Sequence, residues 1–239
     1  MIGTMFLKMA PIFDIILLKR MRGDPMSKTT NANPTKEKIL LYAADIFLEH
    51  GYRDTTVRMI AEKAGINSAL INYHYGNKET LYLDVVRYWA EDAFREYPFD
   101  LLDDPAVAPE EKVRRFIYHT LICLFGPDGN GTGFGRLLAH EAAISPSDVV
   151  HEIVSETIGR PTQALSHAVE QITGIHAPEI LRIYTACIVG QTVYFYLSRN
   201  LTYELLDVPL IHGARDIQEL SEMISAFSMA ALKNLQQEK

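Results

Sequence analysis

The chain has 239 residues and a mass of 27.0 kDa, which allows one large domain or a small domain beside a larger one. Apolar residues make up 48% and charged residues 22%, the balance of a soluble globular protein that buries its core without covalent staples. The two cysteines, Cys123 and Cys187, exclude a zinc knuckle or a disulfide framework; outside any Cys-x-x-Cys pair, they read as reduced thiols of a cytoplasmic protein. No apolar run reaches about 18 residues, which argues against a membrane span.

The net charge of −7 is unevenly spread. Residues 1–34 carry five Lys/Arg against two Asp/Glu, residues 35–88 seven of each, and residues 89–239 eleven against twenty-one. The acidity sits in the last two-thirds, so a nucleic-acid-binding module in the first third does not work against its own charge.

Residues 5–18 (MFLKMAPIFDIILL) have the length of a secretory core, but Lys8, Pro11 and Asp14 interrupt it and no small-residue cleavage site follows. Among Met1, Met5, Met9, Met21 and Met26, the expected natural start is near Met26, with residues 1–34 a flexible or over-extended N-terminal stretch. Residues 27–34 (SKTTNANP) are polar and are expected to be disordered.

From Thr35 onward helical periodicity is nearly continuous and no stretch alternates as a strand between hairpin turns, so the expected fold class is all-α. Thr35 can cap a helix in which Ile39, Leu40, Ala43, Ala44, Phe47 and Leu48 recur at three- and four-residue steps until Gly51 stops it. Thr56 can cap a short helix carrying Val57, Ile60, Ala61 and Ala64, and Ser68 another through Tyr75. After Gly76-Asn77 a long helix runs from Lys78 to about Tyr97, followed by an acidic linker from Asp103 to Pro109. Further helices are expected over 110–125, 134–144, 147–158, 162–173, 178–199 and 216–236, with Gly159 to Pro161 breaking or kinking the region between 147 and 173. The glycine-rich stretch Gly126 to Gly135 (GPDGNGTGFG) lacks the Gly-Lys-Ser/Thr ending of a phosphate-binding loop and reads as a flexible connection.

The most informative stretch is Thr56 to Tyr75 (TVRMIAEKAGINSALINYHY), which reads as helix, tight glycine turn, helix. Ala61 and Ala64 are small enough for two helices to cross closely, and Gly65 supplies the left-handed backbone of the turn. Ile66 and Leu70 are expected to bury inward, leaving Ala69, Asn72, Tyr73 and His74 outward. An α-helix with such a face fits a major groove about 12 Å wide, and in a helix-turn-helix the second helix meets base edges while the first crosses the backbone.

From Thr35 to about Trp89 the sequence resembles the DNA-binding domain of TetR/AcrR-family transcriptional regulators. The matching pieces are KILLYAADIFLEHGY (38–52), TTVRMIAEKAGI (55–66) and INYHYGNKETL (71–81). The resemblance implies an all-helical homodimer with an N-terminal three-helix DNA-binding domain (35–80, helix-turn-helix about 56–75), a larger C-terminal ligand-binding and dimerisation domain (81–239), and no enzymatic activity. It also implies roles. Thr56 resembles the residue that opens the second helix and touches a phosphate, with Arg58 near enough to join it. Ser68, Ala69 and Asn72 fall where the family presents groove-facing side chains. Tyr73 and His74 lie beside the backbone-contacting positions, and Lys78 resembles the lysine that opens the fourth helix and meets a phosphate. Many members carry Tyr at the place of Asn72; an Asn there can bond adenine in a bidentate fashion and so read sequence. Tyr75, four residues after Ile71, reads as core, whereas Arg58 and His74 are equally consistent with solvated surface. Lys28, Lys36 and Lys38 can add nonspecific attraction through counterion release.

In the C-terminal part, residues 178–199 are apolar almost all round, the mark of a helix buried on most sides. The last helix shows a stripe at Ile217, Leu220, Ile224, Phe227, Ala231 and Leu235. Two such helices can form half of an intersubunit four-helix bundle, and in TetR-like proteins the last two helices do so. Glu141 and Gln191 interrupt apolar periodicity. The plainer reading is an internal bond, such as Glu141 with Arg115 or Arg136; the other is a polar lining in a ligand cavity walled by Tyr118, His119, Phe134, Tyr184, Tyr194 and Tyr196. The pairs His140-Glu141 and His151-Glu152 lack the His-Glu-x-x-His spacing of a metal site, so no metal and no cofactor is expected. The pieces LLAHEAAISP (137–146), IGRP (158–161) and IVGQTVYF (188–195) resemble the CecR-like subgroup linked to drug efflux control.

The expected function is that of a dimeric, sequence-specific DNA-binding regulator: a repressor that leaves a near-palindromic operator when a small molecule binds its C-terminal domain. Competing readings are an activator or dual regulator of the same fold, a metal-binding helical enzyme, and a partner-binding scaffold.

Overall fold

In a computed structural model, which describes residues 34–96, 98–99, 102–143, 148–207 and 211–237 (of 96, 140–143, 148–157 and 236–237 the backbone alone), every regular element is an α-helix. The expected start near Met26, and Lys28 with it, lie outside the described residues. In chain order the helices are α1 (Pro34–Asp54), α2 (Val57–Ala64), α3 (Ser68–Tyr75), α4 (Lys78–Glu96), α5 (Pro109–Phe125), α6 (Gly133–Ala143), α7 (Asp148–Thr173), α8 (Pro178–Leu197), α9 (Arg199–Leu206) and α10 (Ala214–Gln237). They fall into two units, one up to Val85 and one from Val86.

In the first unit α1 buries Ile39, Ala43, Ala44, Phe47 and Leu48. At Gly51 the backbone swings to φ 70°, ψ 178°, which ends the regular helix where the sequence placed its stop; a further helical turn reaches Asp54. The Thr55 hydroxyl donates to Gly51 O at 2.7 Å and closes that turn. Thr56 caps α2, its Oγ1 accepting from the Met59 N–H at 3.2 Å. Gly65 takes the left-handed conformation (φ 64°, ψ 38°) and returns its N–H to Ala61 and Glu62 carbonyls, while Ala61 and Ala64 are buried. The cap of α3 is Asn67 rather than Ser68: Asn67 sits in extended backbone one residue earlier, and its Oδ1 accepts the Ala69 N–H at 2.8 Å. The inner face of α3 also differs from expectation. Ile66 is half-buried and Leu70 is 37% exposed, because Ile71 and Tyr75, four apart, form the edge that packs inward.

The second unit is arranged around α5. Val113, Phe116, Ile117, Leu121, Ile122, Leu124 and Phe125 leave almost no surface exposed, and α6, α7, α8 and α10 all pack against this helix. α7 runs unbroken through Gly159 and Pro161, where the sequence led us to expect two helices. Pro161 is buried and begins the stripe continued by Leu165, Ala168, Val169 and Ile172, so packing against α5 outweighs the one backbone bond the proline removes. The segment 126–135 is likewise no slack connection. A Cβ at Gly133 would overlap the Trp89 indole, and one at Gly129 would overlap the Ile211 carbonyl. The glycines are there for close approach.

α8 ends at Leu197, and a short α9 follows that periodicity did not reveal. Among the described residues α8 is long and apolar enough to cross a membrane by length and composition. It is not buried on most sides, however. Leu181, Thr185, Ile188, Thr192 and Tyr196 face inward, while Ile180, Ile183 (61% exposed), Cys187, Tyr194 and Leu197 form an exposed stripe. α10 has the same double character. Ile217, Leu220, Ser221, Ile224, Ser225, Ser228, Met229 and Leu232 are buried, whereas Met223, Phe227 (71% exposed) and Ala231 of its apolar set are exposed. Gln191 Nε2 on α8 donates to Ser228 Oγ on α10 at 3.4 Å.

Gly133→Ala is expected to destabilise the second unit by about 1–3 kcal/mol through overpacking against Trp89. Trp89 is the one tryptophan in the chain, so thermal unfolding followed by its fluorescence reads the effect; an unchanged melting curve and emission maximum would contradict it.

Candidate nucleic-acid interface

On α3 the exposed residues Ser68, Ala69, Asn72 and Tyr73 recur at three- and four-residue spacing and form one stripe, opposite Ile71 and Tyr75. Tyr73 is 82% exposed, which for a ring of that size is unusual without a partner surface. His74 lies half-buried at the edge of this stripe, its ring edge-on to Tyr73 with centroids 5.1 Å apart.

The stripe is held from behind. The Tyr75 hydroxyl donates to Lys36 O on α1 at 2.7 Å, and the Lys36 ammonium lies 5.0 Å above the Tyr75 ring and 3.9 Å from Asp84 on α4. Burial, with the Asp84 carboxylate adding to it, pushes the Tyr75 phenol well above its ordinary pKa, so it stays a protonated donor. Three helices are thereby tied to one side chain. On the other side of α2, Lys63 reaches Glu49 at 3.3 Å and Asp45 at 3.8 Å, pinning α2 to α1.

Thr56 and Lys78 come together. The half-buried Lys78 ammonium donates to Thr55 O at 3.0 Å and to Tyr52 O at 2.9 Å, and lies 4.2 Å from the Tyr52 ring centre. Two of its three donors hold the end of α1 against the start of α4. This anchoring role is absent from the sequence pattern, because the acceptors are backbone atoms more than twenty residues away. Arg58 is exposed, and its Nε donates to Glu62 Oε1 at 2.7 Å, which uses one of five guanidinium donors. Half-buried Tyr52 stacks with Phe47 and lies tilted against Tyr82, so the platform under Lys78 rests on the core.

Of the residues singled out as a ligand lining, Phe134, His119 and Tyr118 are linked through the rings of Phe94 and Phe99. Phe134 is core, edge-on to Phe94 at 5.6 Å. Tyr118, His119 and Tyr184 are half-buried, with His119 among the rings of Phe99 and Tyr118. Gln191 bonds Cys187 O and Ser228, and Tyr194 lies on the exposed stripe of α8. The side chain of Glu141 lies outside those described, as do those of His140, His151 and Glu152. Arg115, one of its expected partners, is held instead by Glu111 at 2.8 Å.

The profile of the tetR family of bacterial regulatory proteins matches residues 39–85. That of the C-terminal domain of the HTH-type transcriptional dual regulator CecR matches residues 109–232, more than half of the chain. The HTH-type transcriptional repressor KstR2 of Rhodococcus jostii is 35% identical over 77 residues, 32% of this chain and 38% of that protein. The chain spans about two-fifths of the length of the curated relatives it matches here. AibR, solved with isovaleryl coenzyme A and operator DNA, superposes with a TM-score of 0.58 at 20% identity, over 80% of this chain and 96% of AibR. FadR of Bacillus subtilis, solved with stearoyl-CoA, gives 0.57 at 16% identity, over 81% and 97%. At such identities these two likenesses establish the fold.

Lys78→Met is expected to lower stability by about 2 kcal/mol through loss of two charge-assisted bonds to carbonyls, measured by denaturant unfolding of the full chain. Arg58→Gln, whose group is fully exposed, should leave the transition where it is. Equal midpoints for the two variants would contradict the anchoring role.

Proposed function

We propose, since this chain belongs to the TetR family of bacterial regulatory proteins and carries a C-terminal domain of the CecR type, that it is a ligand-responsive transcriptional repressor acting on a near-palindromic operator in the cytoplasm. The observation that carries this reading is the exposed stripe of Ser68, Ala69, Asn72 and Tyr73 on a helix fixed from behind by Ile71 and Tyr75. A helix so presented enters the major groove, with Asn72 bonding an adenine edge and Tyr73 and His74 against the sugar-phosphate backbone. Thr56, Arg58 and the remaining donor of Lys78 meet phosphates on either side. Repression is supported by the relatives KstR2 and AcnR, both named as repressors.

The reading requires two copies of the chain. The exposed apolar stripes of α8 and α10 are the surface we assign to the second copy, burying Ile183, Tyr194, Met223 and Phe227 in an intersubunit four-helix bundle. The bound molecules of AibR and FadR make coenzyme A thioesters reasonable candidates for the effector, with half-buried Tyr118, His119 and Tyr184 beside it. Ligand would act by favouring a state in which the two recognition helices no longer match successive major-groove faces, through α4, whose start belongs to one unit and whose end to the other. A second reading, regulation in both directions, has one support: CecR itself is described as a dual regulator. The sign of the transcript change on deletion separates the two.

Two outcomes are expected. Full-length protein binds DNA upstream of its own gene far more tightly than scrambled DNA, with affinity falling steeply with salt, and Asn72→Ala costs about 1–3 kcal/mol at one base position. Equal, weak binding to both DNAs, or an unchanged base preference in Asn72→Ala, contradicts the assignment. Phe227→Lys is expected to convert a dimer into monomers in sedimentation equilibrium and to abolish tight operator binding; a dimer that survives this charge places the interface elsewhere.

A further inference from the structure

A cleft of about 470 Å³ opens in the second unit between the start of α5 and the middle of α7. It is lined by Leu102, Asp103, Lys112, Arg160, Gln163, Ala164 and His167. Its floor is apolar: Leu102 is buried and Ala164 packs against the core around α5. Its rim is polar, with the cations Lys112 and Arg160 and the carboxylate of Asp103.

The charges of the rim are not equivalent. Arg160 is paired with Asp103, and His167 lies 3.4 Å from Glu170, which a hydrogen bond from His176 already holds below the usual carboxylate range. Glu111, beside Lys112 in sequence, is taken by Arg114 and Arg115. Lys112 itself is only 8% exposed, yet it makes no hydrogen bond and no ion pair with any described residue. A surface lysine ordinarily leaves its ammonium in bulk water and buries only its stem. Here more than nine-tenths of the residue is covered, and what remains lines the cleft. Its stem is covered and its ammonium opens into the cleft with no counter-charge among the described residues, so the charge that faces the cleft is free to meet an anion.

We propose that this cleft is an oxyanion site: Lys112, assisted by Arg160 and the Gln163 amide, binds the phosphate or carboxylate end of an effector whose short apolar portion lies on Leu102 and Ala164. The inference rests on the reading that this unit takes an effector, and it specifies that the effector is an anion and where its charged end sits. Arg160 can exchange Asp103 for the ligand, since the guanidinium is largely exposed and the acid partly so. The anion is held chiefly by Lys112, the one of the two cations with no carboxylate partner among the described residues.

The test is calorimetric titration of the full-length protein with three matched probes: hexyl phosphate, hexanoate and hexanol. Both anions, or the one of preferred geometry, should bind at least about tenfold more tightly than the alcohol, and Lys112→Met should remove at least about tenfold of that affinity while Lys112→Arg retains most of it. Arg160→Gln, at an exposed position, supplies a second variant whose folding is not at issue, with a loss of about threefold or more. Hexyl phosphate binding above hexanoate identifies a phosphate ligand, and the reverse order a carboxylate. Hexanol binding as well as the anions, or affinities unchanged in both Lys112→Met and Arg160→Gln, overturns the site. The same probes are then added to the protein–operator complex. Lys112-dependent binding without operator release leaves the site standing and overturns the effector reading; absence of anion binding by a protein that still binds its operator overturns the site alone.

Discussion

The constraint on which the C-terminal unit depends is that α5 must be covered around most of its circumference. From Val113 to Phe125 its buried apolar residues leave only the side of Arg114 open, and α6, α7, α8 and α10 each pack against it. Each enclosing helix is therefore judged by a face that the sequence of that helix alone does not identify. For α7 the consequence is continuity through Pro161, whose ring is part of the buried stripe. For α10 it is a buried face in which Ser221, Ser225 and Ser228, small hydroxyls that let the helix lie close, alternate with Ile217, Leu220, Ile224, Met229 and Leu232, while Met223 and Phe227 point away. For α5 itself it is the burial of Lys112 in the first turn, at the point where the enclosing wall ends in a cleft.

An apolar outer face on helices that already have an apolar or small-residue inner face calls for a second covering. Ile180, Ile183, Cys187, Tyr194 and Leu197 on α8 follow a spacing of three and four residues, the spacing of a helix–helix seam. Mean hydropathy of α8 is high because two faces are apolar, one toward α5 and one outward, which is also why its composition resembles that of a membrane-crossing segment. In the proposed dimer the exposed hydrophobic area and the exposed stripe of α3 have one explanation in common: a two-fold axis that pairs the subunits would also pair the α3 helices.

The helix-turn-helix unit was the most legible part of the sequence because its determinants are local. The Thr56 cap, the small residues Ala61 and Ala64, the left-handed Gly65 and the buried pair Ile71 and Tyr75 all lie within twenty residues, and all behave in the structure as their chemistry requires. The errors there were one-residue matters: Asn67 capping in place of Ser68, and Leu70 left at the surface. The anchoring of Lys78 to Tyr52 O and Thr55 O, by contrast, leaves no mark in side-chain pattern, because its partners are carbonyls. Nor does the packed character of segment 126–135, which depends on Trp89 and Ile211 approaching its glycines from distant parts of the chain. The cleft at Lys112 was illegible for the same reason: its two cations come from helices far apart in sequence, and only burial distinguishes Lys112 from any other lysine.

The central claim is that two recognition helices, held by one dimer, read a two-fold DNA sequence. Selection of bound fragments by the full-length protein from a random double-stranded DNA library tests it most directly. The account predicts enrichment of a single inverted repeat, its half-sites centred about one helical turn apart or a multiple of it, with the preference at one adenine in each half lost when Asn72→Ala protein is used. Enrichment of nothing, or of an asymmetric sequence indifferent to that substitution, would contradict it.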